Sequence, residues 1–328
     1  MMRSIRSRLS SLLMLAVLAP APLLASEVVL YSSNNVEVID RVLELFNKQH
    51  PEIRVSVVRA GSGALMQRIK AEAKNPLGDI FWSGGFSTLA DYQEYLDAYQ
   101  SPQAKAVGPE FRGPGDAWLG TNTHVSVLMV NEKQLGGQAA PTGWADLADP
   151  KWKGKIVIPD PQRSSSSYVA LFGLKELMGT EVFKKVVDNA VIVGTTAGAY
   201  DGVAQGEFPI GVTMEYAAYQ YVAGGMKNIS LVYPSEGTFL SPEGMSIIKG
   251  AKNPQEAREL FDFLASKPVQ TTVFETAYRR PLRTDIPVDQ ITDLPAMADI
   301  EIFELDDQKM GDARESFLEE WRELMASR

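Results

Sequence analysis

Apolar residues along the chain fall into short blocks, and the spacing within a block alternates between strand-like and helix-like. "EVVLY" (27–31) is a continuous apolar run of the kind a buried strand needs, and it predicts the first strand. In "NVEVIDRVLELFNKQHP", Val36, Ile39, Leu43 and Phe46 recur at helical spacing, and His50-Pro51 ends the helix because a residue before proline is driven out of helical geometry. "IRVSVV" (53–58) predicts the next strand, and "GSG" (61–63) opens a helix with Leu65, Ile69 and Ala73 on one side. "DIFW" (79–82) predicts a third strand, broken by "SGG" (83–85). Strand, loop and helix in this repeated order imply a mainly parallel sheet with right-handed crossovers.

"THVSVLMVNEK" (123–133) is the longest β-rich run and alternates only loosely, so it reads as a strand crossing between two lobes. The earlier pattern then resumes with "KIVIPDP" (155–161), helices over 166–178 and 181–190, "VIVG" (191–194) and "PIGVT" (209–213). "ISLVYP" (229–234) and "GMSIIKG" (244–250) read as the return crossing, and helices follow near 255–265, 268–275 and 312–326. The expected architecture is α/β: two Rossmann-like lobes with mainly parallel sheets, joined by two extended hinge crossings. In such sheets ligands sit beyond the carboxyl ends of the strands, so two facing lobes enclose one cleft.

The first 26 residues depart from this pattern. Arg3, Arg6 and Arg8 precede an apolar run from Leu12 to Leu18, and "APAPLLAS" follows, which together make a secretory leader cut near Ala25 or Ser26. The expected protein is therefore exported to the periplasm. The 328 residues contain no cysteine, which excludes disulfides, thiolate metal sites and cysteine nucleophiles. The formal charge of −9 becomes −12 once the three leader arginines are removed, and an acidic surface argues against nucleic acid as a partner.

Candidate chemistry lies where small polar residues follow a strand. Ser32, Ser33 and Asn34 stand after the first strand, Ser62 and Gly63 after the second, and Ser83 and Gly84 after the third. In the second half the corresponding residues are Arg163 with Ser164, Ser165 and Ser166, and Thr196, Tyr200 and Asp201. Free backbone N–H groups and hydroxyls at a helix start hold a small oxyanion, although the same residues also serve as ordinary caps and turns. Asp201 is either an acceptor for the ligand or a first-turn helix acid. The sequence holds two histidines: His50 at a helix end, and His124, which either faces the cleft or caps a strand. "AGSGA" lacks the spacing of a nucleophile elbow, and no P-loop, zinc or calcium motif is present. These residues point to a binding protein with no cofactor, not to an enzyme; a secreted hydrolase using Ser62 or a serine of 164–167 is the distant alternative.

"VVLYSSNN", "GSGALMQRIKAEAKNPLGDIFWSGG", "GVAQGEFPIGVTMEYAA", "LVYPSEGTFLSPEGMSIIKGAKNPQEA" and "RRPLRTD" together resemble periplasmic solute-binding proteins of ABC importers. The nearest group by these motifs includes ferric-ion, phosphonate and sugar-phosphate binders. The resemblance implies type II periplasmic-binding topology, a monomer, and a permease and ATPase in the inner membrane as partners. It implies lobes formed by residues 27–122 with 243–293 and by 123–242 with 294–328. Ferric-binding members place two adjacent tyrosines after the turn matched here by Gly206, Glu207 and Pro209; Tyr216 takes the first place but Ala217 the second. Asn34 and Asn35, and Ser83-Gly84-Gly85, occupy the places of further iron ligands. The resemblance therefore leans toward a small anionic ligand, a phosphorylated or phosphonate compound, with Glu215 and Tyr216 contacting it. Ferric iron held by Tyr216 is the alternative.

Overall fold

A computed structural model describes residues 26–328. The leader expected at the start of the chain, with its cut near Ala25, lies outside them. The first half runs β1 (Ser26–Ser32), α1 (Val36–Gln49), β2 (Ile53–Arg59), α2 (Ser62–Ala71), β3 (Ile80–Gly85), α3 (Phe86–Asp91) and a short β4 (Leu96–Asp97) before the long β5 (Leu119–Asn131). The second half runs β6 (Ile156–Pro159), α4 (Ser165–Asn189), β7 (Ala190–Val193), α5 (Thr196–Gln205), β8 (Ile210–Met214), α6 (Glu215–Ala223) and β9 (Ile229–Val232). β10 (Leu240–Ile248), α7 (Pro254–Ala265), α8 (Lys267–Ala277), β11 (Arg280–Pro281), α9 (Val288–Ile291), α10 (Asp307–Asp312) and α11 (Arg314–Ala326) complete the chain.

The strands lie in the order β2-β1-β3-β10-β5-β8-β6-β7, parallel within β2-β1-β3 and within β7-β6-β8. The two parallel groups are joined by β5 and β10, which pair antiparallel with each other through Leu119–Val125 and Leu240–Met245. Beyond Val125, β5 pairs with β8 and β9. One strand thus serves both halves of the molecule, and both its faces are covered: Val125, Val127 and Met129 enter one hydrophobic cluster, Leu128 and Val130 another. Burial on both faces is the reason its sequence alternates only loosely. β9 stays with the second half and takes no part in the return crossing, which β10 makes alone.

One core packs α1, α2, α7 and α8 against β1 and β3, with Phe46, Phe81, Trp82 and Phe261 among its buried rings. A second packs α4 and α11 around Trp144, Trp152, Phe172, Phe183, Phe317 and Trp321. The buried face of α1 is Val38, Ile39, Val42 and Phe46; Val36, expected on that face, is 51% exposed. On α2, Leu65, Met66 and Ile69 are buried, while Ala73 lies beyond the helix end. The two helices expected over 166–178 and 181–190 are the two arms of α4, separated at Gly179, whose φ of 80° and ψ of 165° no helix interior accommodates.

The expected break at Ser83-Gly84-Gly85 is not a strand end, because β3 continues through Gly85. Ser83 instead has a φ of 76° and is bypassed in the pairing of β3 with β10, where Gly244 meets Gly84 and Met245 meets Trp82. Thr121 is bypassed likewise in the pairing of β5 with β10, where Glu243 meets Asn122 and Gly244 meets Gly120. Two bulges therefore flank Gly244, next to Glu243, and bulges re-aim side chains where a sheet borders a site.

Candidate functional site

A cavity of about 420 Å³ opens where these elements converge, within the range of small-molecule sites. Three helix starts contribute to its wall: Ser62 at α2, Ser165 and Ser166 at α4, and Thr196 at α5. None of the three helices carries an acidic residue in its first turn. Their positive ends are left without the carboxylate that such ends favour. Ser164 caps α4 by accepting from the Ser167 N–H, and its Oγ lies 2.8 Å from Thr196 Oγ1 and 3.0 Å from Ser166 Oγ. That hydroxyl network fixes the two starts beside each other. Arg163 lines the same wall, exposed and without an ion pair among the described residues.

The cavity floor is organised by Glu243 on β10. Its Oε2 accepts from Ser83 Oγ (2.7 Å), Asn122 Nδ2 (3.0 Å) and Arg279 Nη1 (3.3 Å), and its Oε1 lies 3.3 Å from His124 Nε2. Burial pushes the Glu243 carboxyl up, but His124 and Arg279 outweigh it and hold the group well below the usual carboxylate range. Arg279 also donates to Asn34 Oδ1 at 2.7 Å and to Ser83 Oγ at 3.2 Å. It follows Tyr278, whose left-handed φ of 53° ends α8 and turns the chain toward the floor. Tyr216 sits between two of these groups, edge-on to His124 at 5.0 Å between ring centroids and 5.8 Å from the Arg279 guanidinium. Burial raises the Tyr216 phenol above its ordinary value, with Arg279 opposing and Glu243 adding to the rise. His124 Nδ1 and Ser241 Oγ, both on the lining, are buried without a hydrogen-bond partner among the described residues. Orphaned polar atoms in a cavity wall are positions a ligand can satisfy.

Of the residues singled out in the sequence, Ser62, Arg163, Ser164, Ser165, Ser166, Thr196, Tyr200 and Tyr216 are brought together on this lining. Ser32, Ser33, Asn34, Ser83 and Gly84 lie behind it. Asn34 and Ser83 hold Arg279, Ser32 Oγ accepts from the Asn34 N–H, and Ser33 Oγ donates to the Ser83 carbonyl. At Gly84 a Cβ would come within 2.2 Å of the Phe81 ring, so the residue serves close packing. Gly63 lies in the first turn of α2 but off the lining.

Two acids correct the sequence reading. Glu215, expected to face a ligand, is 1% exposed and held by Arg280, which donates Nε to Oε1 at 3.0 Å and Nη2 to Oε2 at 2.6 Å. Tyr233 donates to the same Oε2 at 2.7 Å, so both carboxylate oxygens already have partners within the protein. Asp201 accepts from the Tyr221 hydroxyl and is likewise off the lining.

His124, for which the sequence left facing the cleft as one of two readings, lines the cavity, and so do Ser241, Glu243, Arg279, Asp307 and Met310, which the sequence did not assign to it. Glu243 and Arg279 had a partial signal: an acid inside a strand and a doubled arginine each need a partner once they leave water. Among the described residues one group of three His, Asp or Glu side chains is close enough to share an ion, His50, Glu52 and Glu259, and it lies apart from the cavity. The candidate serines show no hydrogen bond to either histidine among the described residues. No helix among the described residues is long and apolar enough to cross a membrane.

Residues 75–297 match the family model described as bacterial extracellular solute-binding protein. The chain is 24% identical to iron uptake protein A1 of Synechocystis over 300 residues, covering 84% of this chain and 81% of that one. It is also 24% identical to a putative 2-aminoethylphosphonate-binding periplasmic protein of Salmonella typhi over 302 residues, covering 85% and 86%. Among solved structures it is similar to the periplasmic binding protein AfuA of Actinobacillus pleuropneumoniae with fructose-6-phosphate bound. That likeness has a TM-score of 0.75 at 26% identity and covers 90% of this chain and 97% of that one.

Proposed function

The chain belongs to the bacterial extracellular solute-binding protein family, and we propose that it captures a small phosphorylated or phosphonate compound in the cavity described above. The protein is a binding component of import, not an enzyme. In this reading it works in the periplasm as a monomer after removal of its leader, and delivers its ligand to an ABC permease and ATPase in the inner membrane. The lobes are residues 27–122 with 243–293 and residues 123–242 with 294–328. The division of the buried side chains into separate cores on either side of β5 and β10 supports those boundaries.

One observation carries the ligand class. The starts of α2, α4 and α5, free of first-turn acids, share one cavity with the Arg163 guanidinium, which has no ion pair among the described residues. Free N–H groups, the positive helix ends and a fork of guanidinium donors together suit a multi-oxygen anion such as a phosphoryl head. The cavity volume leaves space for a carbon skeleton beyond that head. The sugar phosphate in AfuA and the phosphonate named for the Salmonella relative support the same class.

Ferric iron is the second reading, favoured by Tyr216 on the same lining beside His124 and Glu243, and by the Synechocystis relative. Against it stand the electrostatics. Ferric sites gather several hard anionic oxygens, whereas the Tyr216 phenol is raised and Glu243 is committed to Arg279. Calorimetric titration with a panel of organophosphates and with ferric citrate separates the two. We expect tight binding of at least one phosphorylated compound. Arg163→Ala, which removes a charged hydrogen-bond donor worth about 1.5–3 kcal/mol, is expected to weaken it roughly 10- to 100-fold without changing the melting temperature of the free protein. Binding of iron with a visible tyrosinate band, lost in Tyr216→Phe, and no response to any phosphorylated compound would overturn the reading.

A further inference from the structure

The segment after α8 carries Arg279, Arg280 and Arg283, and each has its Nη1 taken up by acceptors inside the protein. Arg280 Nη1 donates to the Pro295 carbonyl at 2.9 Å, and Arg283 Nη1 donates to the Ala265 carbonyl at 2.8 Å and to Gln103 Oε1 at 3.0 Å. The other edge of both guanidiniums, formed by Nε and Nη2, holds a carboxylate through two bonds. Arg280 holds Glu215 in this way at 3.0 and 2.6 Å, and Arg283 holds Asp285 at 2.9 Å through each nitrogen. Two parallel charge-assisted bonds of this kind are both strong and specific for a planar two-oxygen anion.

Arg279 departs from this pattern at one point. Its Nη1 is held by Asn34, Ser83 and Glu243, but its Nε and Nη2 have no hydrogen-bond partner among the described residues. Arg279 lines the cavity and Arg280 and Arg283 do not. Only 13% of its side chain is exposed, and a charged donor edge so far from bulk water carries a desolvation cost that a partner offsets. Because three acceptors fix Nη1, the free edge is a preset fork. Its surroundings also favour negative charge: burial pushes the Glu243 carboxyl up, yet His124 and Arg279 hold it well below the usual carboxylate range. Burial raises the phenol of Tyr216, whose ring lies 5.8 Å from the guanidinium, so that side chain stays a neutral O–H donor on the same lining.

We propose that the Nε/Nη2 edge of Arg279 receives a carboxylate of the ligand, as the same edge of Arg280 and Arg283 receives Glu215 and Asp285. The ligand is then a phosphorylated or phosphonate carboxylic acid, its phosphoryl head against Arg163 and the helix starts and its carboxylate against the cavity floor. The inference rests on the organophosphate reading above and adds to it a second anionic group and the residue that selects it. Arg279 already shares its charge with Glu243, so its free edge suits a singly charged planar group better than a doubly charged head. A primary amide of the same shape offers the fork one acceptor and sets an N–H donor against the other nitrogen.

Phosphonoacetate and its homologues up to 5-phosphonopentanoate, each beside its primary amide, test the proposal by calorimetric titration. At the best-fitting length the wild type is expected to bind the acid about tenfold or more tightly than the amide, the worth of a charge-assisted bond. Arg279→Gln and Arg279→Lys, the second keeping the charge but losing the fork, are each expected to reduce that preference to about threefold or less. Arg163→Ala is expected to weaken acid and amide alike and to leave the preference in place. Melting curves report whether the Arg279 variants are folded; should neither fold, the wild-type comparison and Arg163→Ala decide. Equal binding of acid and amide at every length, tighter binding of the amide, a preference kept by a folded Arg279 variant, or a preference lost in Arg163→Ala overturns the proposal and leaves the organophosphate reading standing. Failure of all the phosphono acids, with a phosphorylated compound that lacks a carboxylate binding tightly, also overturns it. Failure of every phosphorylated compound removes the reading on which it rests.

Discussion

Glu215, buried, and Glu243, partly buried, are both acids near the same cavity, yet the molecule uses them differently. Glu243 stands on the cavity floor and gathers groups from β3, β5 and the segment after α8. Glu215 is taken up by the fork of Arg280 and by Tyr233, with both members of the ion pair at most 2% exposed on their side chains. A carboxylate in a short polar segment after a strand looks the same in sequence whether its partner is a ligand or an arginine 65 residues away. The distinction depends on long-range contacts that local pattern does not carry. Because an arginine left buried without its carboxylate loses both charge and hydrogen-bond compensation, Glu215→Ala is expected to cost about 3–5 kcal/mol, measured by denaturant unfolding. A loss below about 1 kcal/mol, the range of exposed ion pairs, would mean that the pair does not hold α6 to the segment after α8.

At the scale of elements, the sequence periodicity located most strands and helices, because apolar blocks bounded by Gly, Pro and Ser are local signals. Helices α4, α7, α8 and α11 and strands β1, β2, β6 and β8 lie within a few residues of their expected places. What periodicity missed is irregularity inside strands. "SGG" reads as a break because serine and glycine are poor strand residues, but here they build a bulge within β3. A non-glycine residue at positive φ persists only where its surroundings hold it, and the Ser83 hydroxyl is held by Glu243 and Arg279. Gly244, between the two bulges, would place a Cβ 2.8 Å from the Leu119 carbonyl oxygen. Gly244→Ala is therefore expected to destabilise by about 1–3 kcal/mol, the usual cost of overpacking, and to weaken ligand binding as well by displacing Glu243. Unchanged thermal melting and unchanged affinity would show that the bulges can shift without consequence for the site.

At the scale of the whole molecule, two parallel strand groups are linked by β5 and β10, and the proposed ligand class rests on what lines the cavity where they meet. Half of the sixteen site residues chosen from the sequence line the cavity, most of them at or just before the starts of α2, α4, α5 and α6, which local pattern marks; for the floor residues the sequence shows at most that Glu243 and Arg279 need partners, and topology alone brings those partners together from crossing strands and the segment after α8. The central claim is that this cavity holds a phosphorylated or phosphonate anion and not a metal ion. Native mass spectrometry of the protein extracted without denaturation, followed by identification of what it releases, tests that claim directly. The account predicts one phosphorus-containing organic molecule per chain. A mass increment of iron in a coloured protein, or a released carboxylate or sugar without phosphorus, would contradict it.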